Sequence, residues 1–233
     1  RLPDAGSAHR LMLEEPLRGP QYNLDGFVHE GQVHVLGVVD AVTYPGTQAF
    51  QRWELPSRLP LPVVERAADV ARRFLKAVDF RLGLFNMEFF FDAAADRLTV
   101  IEVNPRLASQ FGDLYRRVLG IDPHAMALAL AIGEDPLRLP RSEPTATVAA
   151  SLVWRAFGAR EVPPMPGRAG RANLARAFPD ALLFTFPRSV YALERDFKWL
   201  DSHRYGLVHL GASGADELRQ RCERAAAALG WPN

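Results

Sequence analysis

The stretch VIEVNPRLAS, Val100–Ser109, sets a carboxylate, an amide, a proline and a guanidinium side by side at the end of a run that otherwise reads as a buried strand. Alternate side chains of a strand share a face, so Ile101 and Val103 point one way while Glu102 and Asn104 point the other, with both oxygens aimed at one place. Pro105 disfavours helical geometry at Asn104 and ends the strand, which sends Arg106 out on a turn. Upstream, NMEFFFD (Asn86–Asp92) reads as a partner strand across the polar turn AAAD. Pairing Asp92 with Leu98 around this turn sets Glu88 directly opposite Glu102, and two facing carboxylates repel.

A divalent cation removes that repulsion. Mg²⁺ takes oxygen ligands, commonly one or two carboxylates completed by phosphates and water, so Glu88, Glu102 and Asn104 form a partial shell for Mg²⁺, or Mn²⁺ in its place, that leaves room for a nucleotide. Arg106 beside that shell is a fixed donor fork suited to a phosphate or a substrate carboxylate. The same residues also fit a half-solvated hairpin whose outer face carries two glutamates, with Arg106 as their ion-pair partner.

Working outward, the chain of 233 residues is 48% hydrophobic and long enough to bury a substantial core. Its 28 basic and 27 acidic residues leave a net charge of +1, so no global field selects for nucleic acid or an anionic membrane. The single cysteine, Cys222, cannot form an internal disulfide, and no apolar run approaches the ~20 residues of a membrane span. A cytoplasmic protein is the expectation. The opening RLPDAGSAHR has neither an initiating Met nor the pattern of a signal peptide, which leads us to expect a piece of a longer protein.

Strands are expected at about 9–17, 22–29 and 32–42, the last two joined by HEGQ with Gly31 free to take a positive φ. A proline-rich link follows. VVERAADVARRFLKAV then places Val64, Ala67, Ala71, Phe74, Leu75 and Val78 on one helical face. After the two strands around AAAD, Asp122 can cap a helix that has Pro123 in its first turn. The proline-rich passage Pro136–Pro144 is taken as a boundary, dividing residues 1–138 from a C-terminal subdomain, 139–233. There, TVAASLVWRAF, ALLFTFP, SVYALE and GLVHLGA read as strands, PPMPGRAGRA as a loop, and ADELRQRCERAAAAL as a helix stopped by Gly230.

NMEFFFD followed by LTVIEVNPRLASQFGDLYRRVLGIDP resembles the metal-binding hairpin and next helix of the ATP-grasp superfamily, with its Glu in one strand and Glu-x-Asn-Pro-Arg in the next. LEEPLRGPQYNLDGFVHEGQVHVLGVVD is similar to the upstream segment of that fold, where adenine is held at a hinge. The resemblance covers Leu11 to Asp135 well. Ala146–Asn233 more loosely resembles the C-terminal subdomain of biotin-carboxylase-like and amino-acid-ligase members.

The resemblance implies an α+β fold: an ATP-grasp catalytic half, made of an antiparallel sheet with packed helices, plus a small mixed α/β C-terminal subdomain. It implies Glu88, Glu102 and Asn104 as Mg²⁺ ligands bridging ATP phosphates, and Arg106 holding the transferred phosphate or the acceptor carboxylate. Glu14, Glu15 and Leu17 would form the adenine hinge, and Phe90, on the face of Glu88, would pack against the base. Gln21 stands where many members have Glu as the ribose-hydroxyl acceptor, and an amide still accepts a hydrogen bond. Arg155, ending the SLVW strand, would be a second active-site guanidinium, with a surface role as the alternative. The superfamily's glycine-rich loop and two nucleotide lysines belong before Glu14, where only thirteen residues stand, so the expectation is the C-terminal part of the enzyme.

The activity implied is ADP-forming ligation of a carboxylate to an amine or thiol through an acyl phosphate. The partners are small-molecule carboxylate and amine substrates and the N-terminal part of the same enzyme, a homodimer is compatible, and neither nucleic acid nor membrane is expected. A catalytically inactive nucleotide-binding or regulatory module and a biotin-type carboxylase are the alternatives. Arg168, Arg171 and Arg176 read as a solvated basic loop, His29 and His34 as polar hairpin surface, GASGADEL as ordinary helix capping, and Cys222 as structural.

Overall fold

A computed structural model describes residues 13–157, 165–186 and 202–231. Eight strands form one sheet: β1 Gln21–His29, β2 Gln32–Thr43, β3 Phe50–Leu55, β4 Gly83–Asp92, β5 Arg97–Asn104, β6 Val148–Phe157, β7 Leu182–Thr185 and β8 Ser202–Ala212. Their order is β5-β4-β1-β2-β3-β6-β8-β7, with every pairing antiparallel. Among the described residues five α-helices pack on it: α1 Leu61–Ala77, α2 Gly112–Leu119, α3 Pro123–Ala131, α4 Arg168–Ala177 and α5 Ala215–Leu229. The class is α+β, and the sheet continues through the β3–β6 pairing from the first portion of the chain into the second.

The β1–β2 hairpin turns on Glu30 and Gly31, at φ 51° and 78°, the two positive values that a two-residue turn needs to match the strand twist. The expected strand at 9–17 does not form over 13–17, which is irregular and exposed; residues 9–12 lie outside the described residues. The link after β2 holds a strand that its charges concealed: in β3, Trp53 and Leu55 are buried while Arg52 and Glu54 alternate with them on the other face. In α1 the buried stripe is Val63, Ala67, Ala68, Ala71 and Leu75. Phe74 and Val78, expected inside, are exposed, because the sheet meets the small-residue side of the helix. Asp122 caps α3 as expected, accepting from the backbone N–H groups of His124 and Ala125. PPMPGRAGRA is not a loop throughout: Arg168–Ala177 is α4, begun by Gly167. SVYALE lies outside the described residues.

The two faces of the sheet are covered differently. On one, α1 packs over Leu24, Val38, Met87 and Phe89, while α4 and α5 pack over Ala150, Leu152 and Leu210. On the other, α2 covers only the middle, over Val39, Trp53, Leu55, Ala149 and Val153. There too, α3 covers the Phe27 and Leu84 ends of β1 and β4, and the candidate site lies beside it, on the stretch of β5, β4 and β1 that carries Glu102, Glu88 and Asn23.

Candidate functional site

The site is a grid fixed by strand register. Glu102, Glu88 and Asn23 form one row across β5, β4 and β1. Phe90, Gln21, Ala41 and Trp53 form the next, across β4, β1, β2 and β3. Asn104, Asn86, Asp25 and Gly37 form a third on the other side.

Glu88 meets Glu102 as the sequence suggested, but by another route. Asp92 pairs with Arg97 instead of Leu98, tightening the turn by one residue, because the Asp92 side chain accepts from the backbone N–H of Ala94 and Ala95 and Asp96 takes φ 45°. A bulge at Ile101 restores the register before Glu88. The bulge leaves Ile101 exposed, so Leu98, Val100 and Val103 pack toward the core without the Ile101–Val103 alternation expected of an unbroken strand.

The Glu88 carboxyl is raised above its ordinary pKa, first by burial and then by the charge of Glu102, against the pull of Arg106 and of a hydrogen bond from Gln21. That bond, Gln21 Nε2 to Glu88 Oε2, is 2.7 Å, so Gln21 keeps its carbonyl oxygen to accept from a ligand hydroxyl. Asn104 Nδ2 donates to Glu102 Oε1 at 2.8 Å. Phe90 is half-buried on the Glu88 face and outside the core clusters. Glu14, Glu15 and Leu17 are exposed. They lead to Gly19, at φ 87°, where a Cβ would lie 2.1 Å from the Phe91 carbonyl oxygen; this close approach lays the segment against the end of β4.

Arg106 and Glu88 line one cavity of about 220 Å³ together with Asn23, Asn86, Phe50, Trp53, Ala108, Ser109, Gln110 and Phe111. Arg155 stands behind its wall: Nε donates to the Phe50 carbonyl at 3.2 Å and Nη1 to Ser202 Oγ at 3.3 Å. Burial and the charge of Arg204, its register partner, lower the Arg155 pKa. Arg204 in turn donates to Gln110 Oε1 at 3.3 Å.

Asp25 is the residue that reading for motifs passed over. It is buried beneath the site, accepting from Asn86 Nδ2 and from the Tyr115 hydroxyl, each at 2.8 Å, and burial raises its pKa to about 7. Its sequence signal is a lone acid amid the apolar residues of β1, which gains meaning only beside Asn86 and Tyr115. Elsewhere, His34 stacks on Phe27 and His29 lies 3.9 Å from Asp135. Burial pushes the Cys222 thiol up to about 12, which makes it unreactive.

No family model matches the sequence. Over 149 residues, 63% of this chain, it is 30% identical to carnosine synthase 1 of Gallus gallus, of which it spans 16%. The L-amino acid ligase of Bacillus licheniformis superposes on 92% of the chain with a TM-score of 0.70 and 16% identity, the chain covering 52% of that structure. A biotin carboxylase–βγ-ATP complex from Campylobacter jejuni superposes on 93% with a TM-score of 0.63 and 17% identity, 47% of it being covered.

The chain has the ATP-grasp fold. It corresponds to the C-terminal part of that fold and spans about half the length of the solved structures it matches. Within the ATP-grasp sheet, the facing carboxylates of Glu88 and Glu102 and the amide of Asn104 fit a divalent cation, since a cation offsets both the burial of the Glu88 charge and its repulsion by Glu102. Among the described residues no three of His, Cys, Asp and Glu are grouped as metal ligands, so two carboxylates and one amide are the donors on offer. Among the described residues, too, no helix is long and apolar enough to cross a membrane.

Proposed function

We propose that the chain carries the metal and acceptor side of an ADP-forming ligase that joins a carboxylate to an amine, or a thiol, through an acyl phosphate. The observation that supports this most directly is the register that sets Glu88 opposite Glu102 with Arg106 in the same cavity. Glu88, Glu102 and Asn104 hold Mg²⁺, which when bound neutralises phosphate charge. Arg106 orients the acceptor carboxylate by a planar double hydrogen bond. An oxygen of that carboxylate attacks the γ-phosphorus, and ADP leaves with the bridging oxygen. The amine then attacks the acyl carbon and phosphate departs. The residues position and neutralise, as phosphoryl transfer requires. Glu14, Glu15 and Leu17 line the adenine edge, Phe90 meets the base, Gln21 the ribose, and Arg155 backs the acceptor pocket.

The only lysine among the described residues, Lys76, lies in the last turn of α1, away from this face. The remaining phosphate contacts are supplied in our reading by a preceding segment with a glycine-rich loop and lysines. Trapping with hydroxylamine tests the whole proposal, because an acyl phosphate becomes a stable hydroxamate. Incubated with Mg·ATP and a panel of carboxylates, the product of the complete reading frame should yield hydroxamate and ADP together, and the 233-residue chain alone neither. Hydroxamate from the chain alone disproves the need for further phosphate contacts, and none from either preparation overturns the ligase reading.

A further inference from the structure

The cavity that holds Glu88 and Arg106 has two chemically different ends. Its polar end is built on β4 and β1, from Asn86, Glu88 and Asn23, with Arg106 above them. Its other end is built on β3 and the turn before α2, from Phe50, Trp53 and Phe111. The sheet order places β3 two strands from β1, so the ends lie about 10 Å apart at ordinary strand spacing. Between them, β2 contributes Val39 and Ala41 to this face, both buried.

The aromatic end is a fixed wall. Phe50 and Trp53 have ring centroids 4.9 Å apart, and Trp53 and Phe111 5.7 Å. Trp53 is 8% exposed and Phe111 5%. The amide nearest this end, Gln110, is engaged at both of its atoms: Nε2 donates to Ser151 Oγ at 3.0 Å and Oε1 accepts from Arg204. Ser109, which also lines the cavity, is exposed; a polar substituent pressed against the three rings gives up water without a comparable partner there, which is unfavourable, whereas an apolar one gains by leaving water.

We propose that the acceptor taken at this site is a small carboxylate bearing an apolar group, of the size of a branched four-carbon chain, with its carboxylate on Arg106 and its apolar end against Phe50, Trp53 and Phe111. This deepens the ligase reading and rests on it for the orientation. Size follows from volume: 220 Å³ admits about seven water-sized groups at ~30 Å³ each. The carboxylate takes about three of them, which leaves room for an isobutyl-sized group. Sugar phosphates and acceptors whose far end is charged are the classes this end disfavours.

The test compares two probes of one shape. In 3-methylbutanoate the far end is an isopropyl group, and in malonamate a carboxamide of the same outline replaces it. Ligand-observed NMR titrations on the chain should give 3-methylbutanoate a dissociation constant at least about tenfold lower than that of malonamate, as expected for burial of the two methyl groups without an amide penalty. Ala108→Leu, which fills the cavity from its half-buried rim, should abolish that difference. Phe50→Ser, which removes part of the wall, should do the same and serves if the first variant does not fold. Equal affinities, tighter binding of malonamate, no binding of either, or a preference untouched by both substitutions would each overturn the proposal. Mn²⁺ titration of the same samples reads the metal carboxylates separately: an apolar preference without Mn²⁺ binding keeps this inference and sinks the ligase reading, and the converse does the reverse.

Discussion

Glu88 and Glu102 are held in repulsion by the strands that carry them, and each shifts the balance between metal binding and stability in opposite senses. Glu88→Gln or Glu102→Gln removes a charge that the sheet must otherwise tolerate, so the metal-free protein should melt no lower than the parent. Its Mn²⁺ affinity, read by electron paramagnetic resonance, should fall by more than the roughly ten- to hundredfold typical of changes behind a metal's own ligands. Unchanged Mn²⁺ binding in both variants would return the pair to a surface hairpin. Arg106→Lys keeps the charge and loses the fork, so it should lose most hydroxamate formation in the complete enzyme, and a fully active Lys variant would refute the clamp.

Asp25 has a pH signature of its own. Its pKa is raised from 3.8 to about 7 by burial, so the folded state holds a proton that the unfolded chain has already released. The stability associated with that proton is complete below about pH 4 and is lost as pH rises through about 7, amounting to roughly 4 kcal/mol for a shift of this size. Asp25→Asn cannot ionise and still accepts from Asn86. Its urea midpoint should therefore decline less than the parent's between pH 5 and pH 8. Parallel declines would show that Asp25 stays ionised in the folded protein.

Among the elements, the turn after α2 is fixed against the passage around Ser142. Gly120 sits at φ 66°, where a Cβ would lie 1.9 Å from the Ser142 carbonyl oxygen, and Ser142 N donates to the Gly120 carbonyl at 2.9 Å. Gly120→Ala meets both a left-handed backbone and a backbone clash, so about 3 kcal/mol of destabilisation is expected, or a melting point lower by roughly 6–12 °C for a chain of this size. A loss under 1 kcal/mol would mean that the 140–144 passage yields easily. The hairpin turn, the Asp122 cap and the Gly230 stop were legible because each is a local solution to unpaired backbone groups or to a positive φ. The Ile101 bulge was not, since the extra residue is placed by the competing demands of turn and core.

Across the whole molecule, Arg117 ties α2 to the second portion of the chain. It donates to Asp113 and to Asp180, each at 2.6 Å, and its carbonyl accepts from the backbone N–H of Thr145 and Ala146. Asp113, held well below the usual carboxylate range by His209 Nδ1 at 3.5 Å and the hydrogen-bonded Arg117 despite its burial, would lose its buried partner in Arg117→Met and keep only His209 and the more exposed Arg116, at 3.2 Å. Removing one member of such a buried pair costs about 3–5 kcal/mol. Chemical denaturation should show that loss in a single transition; a variant as stable as the parent would show that the two portions hold together without the clamp.

The Glu88–Glu102 hairpin, the Asn-Pro-Arg exit and the order of most elements were legible in the amino acids alone, because turn chemistry, caps and period-two alternation act between near neighbours. Which face of α1 is buried, that FQRWEL is a strand in the middle of the sheet, and that Asp25 meets Asn86 and Tyr115 beneath the site follow from long-range packing. Each of these depends on partners distant in the chain, such as Ala149–Leu152 for β3 and Asn86 and Tyr115, 61 and 90 residues on, for Asp25, whose approach is set by the burial of two cores at once. The aromatic wall of the acceptor cavity belongs to the same class: Phe50, Trp53 and Phe111 come together because β3 enters the sheet two strands from β1, and no local pattern could report it.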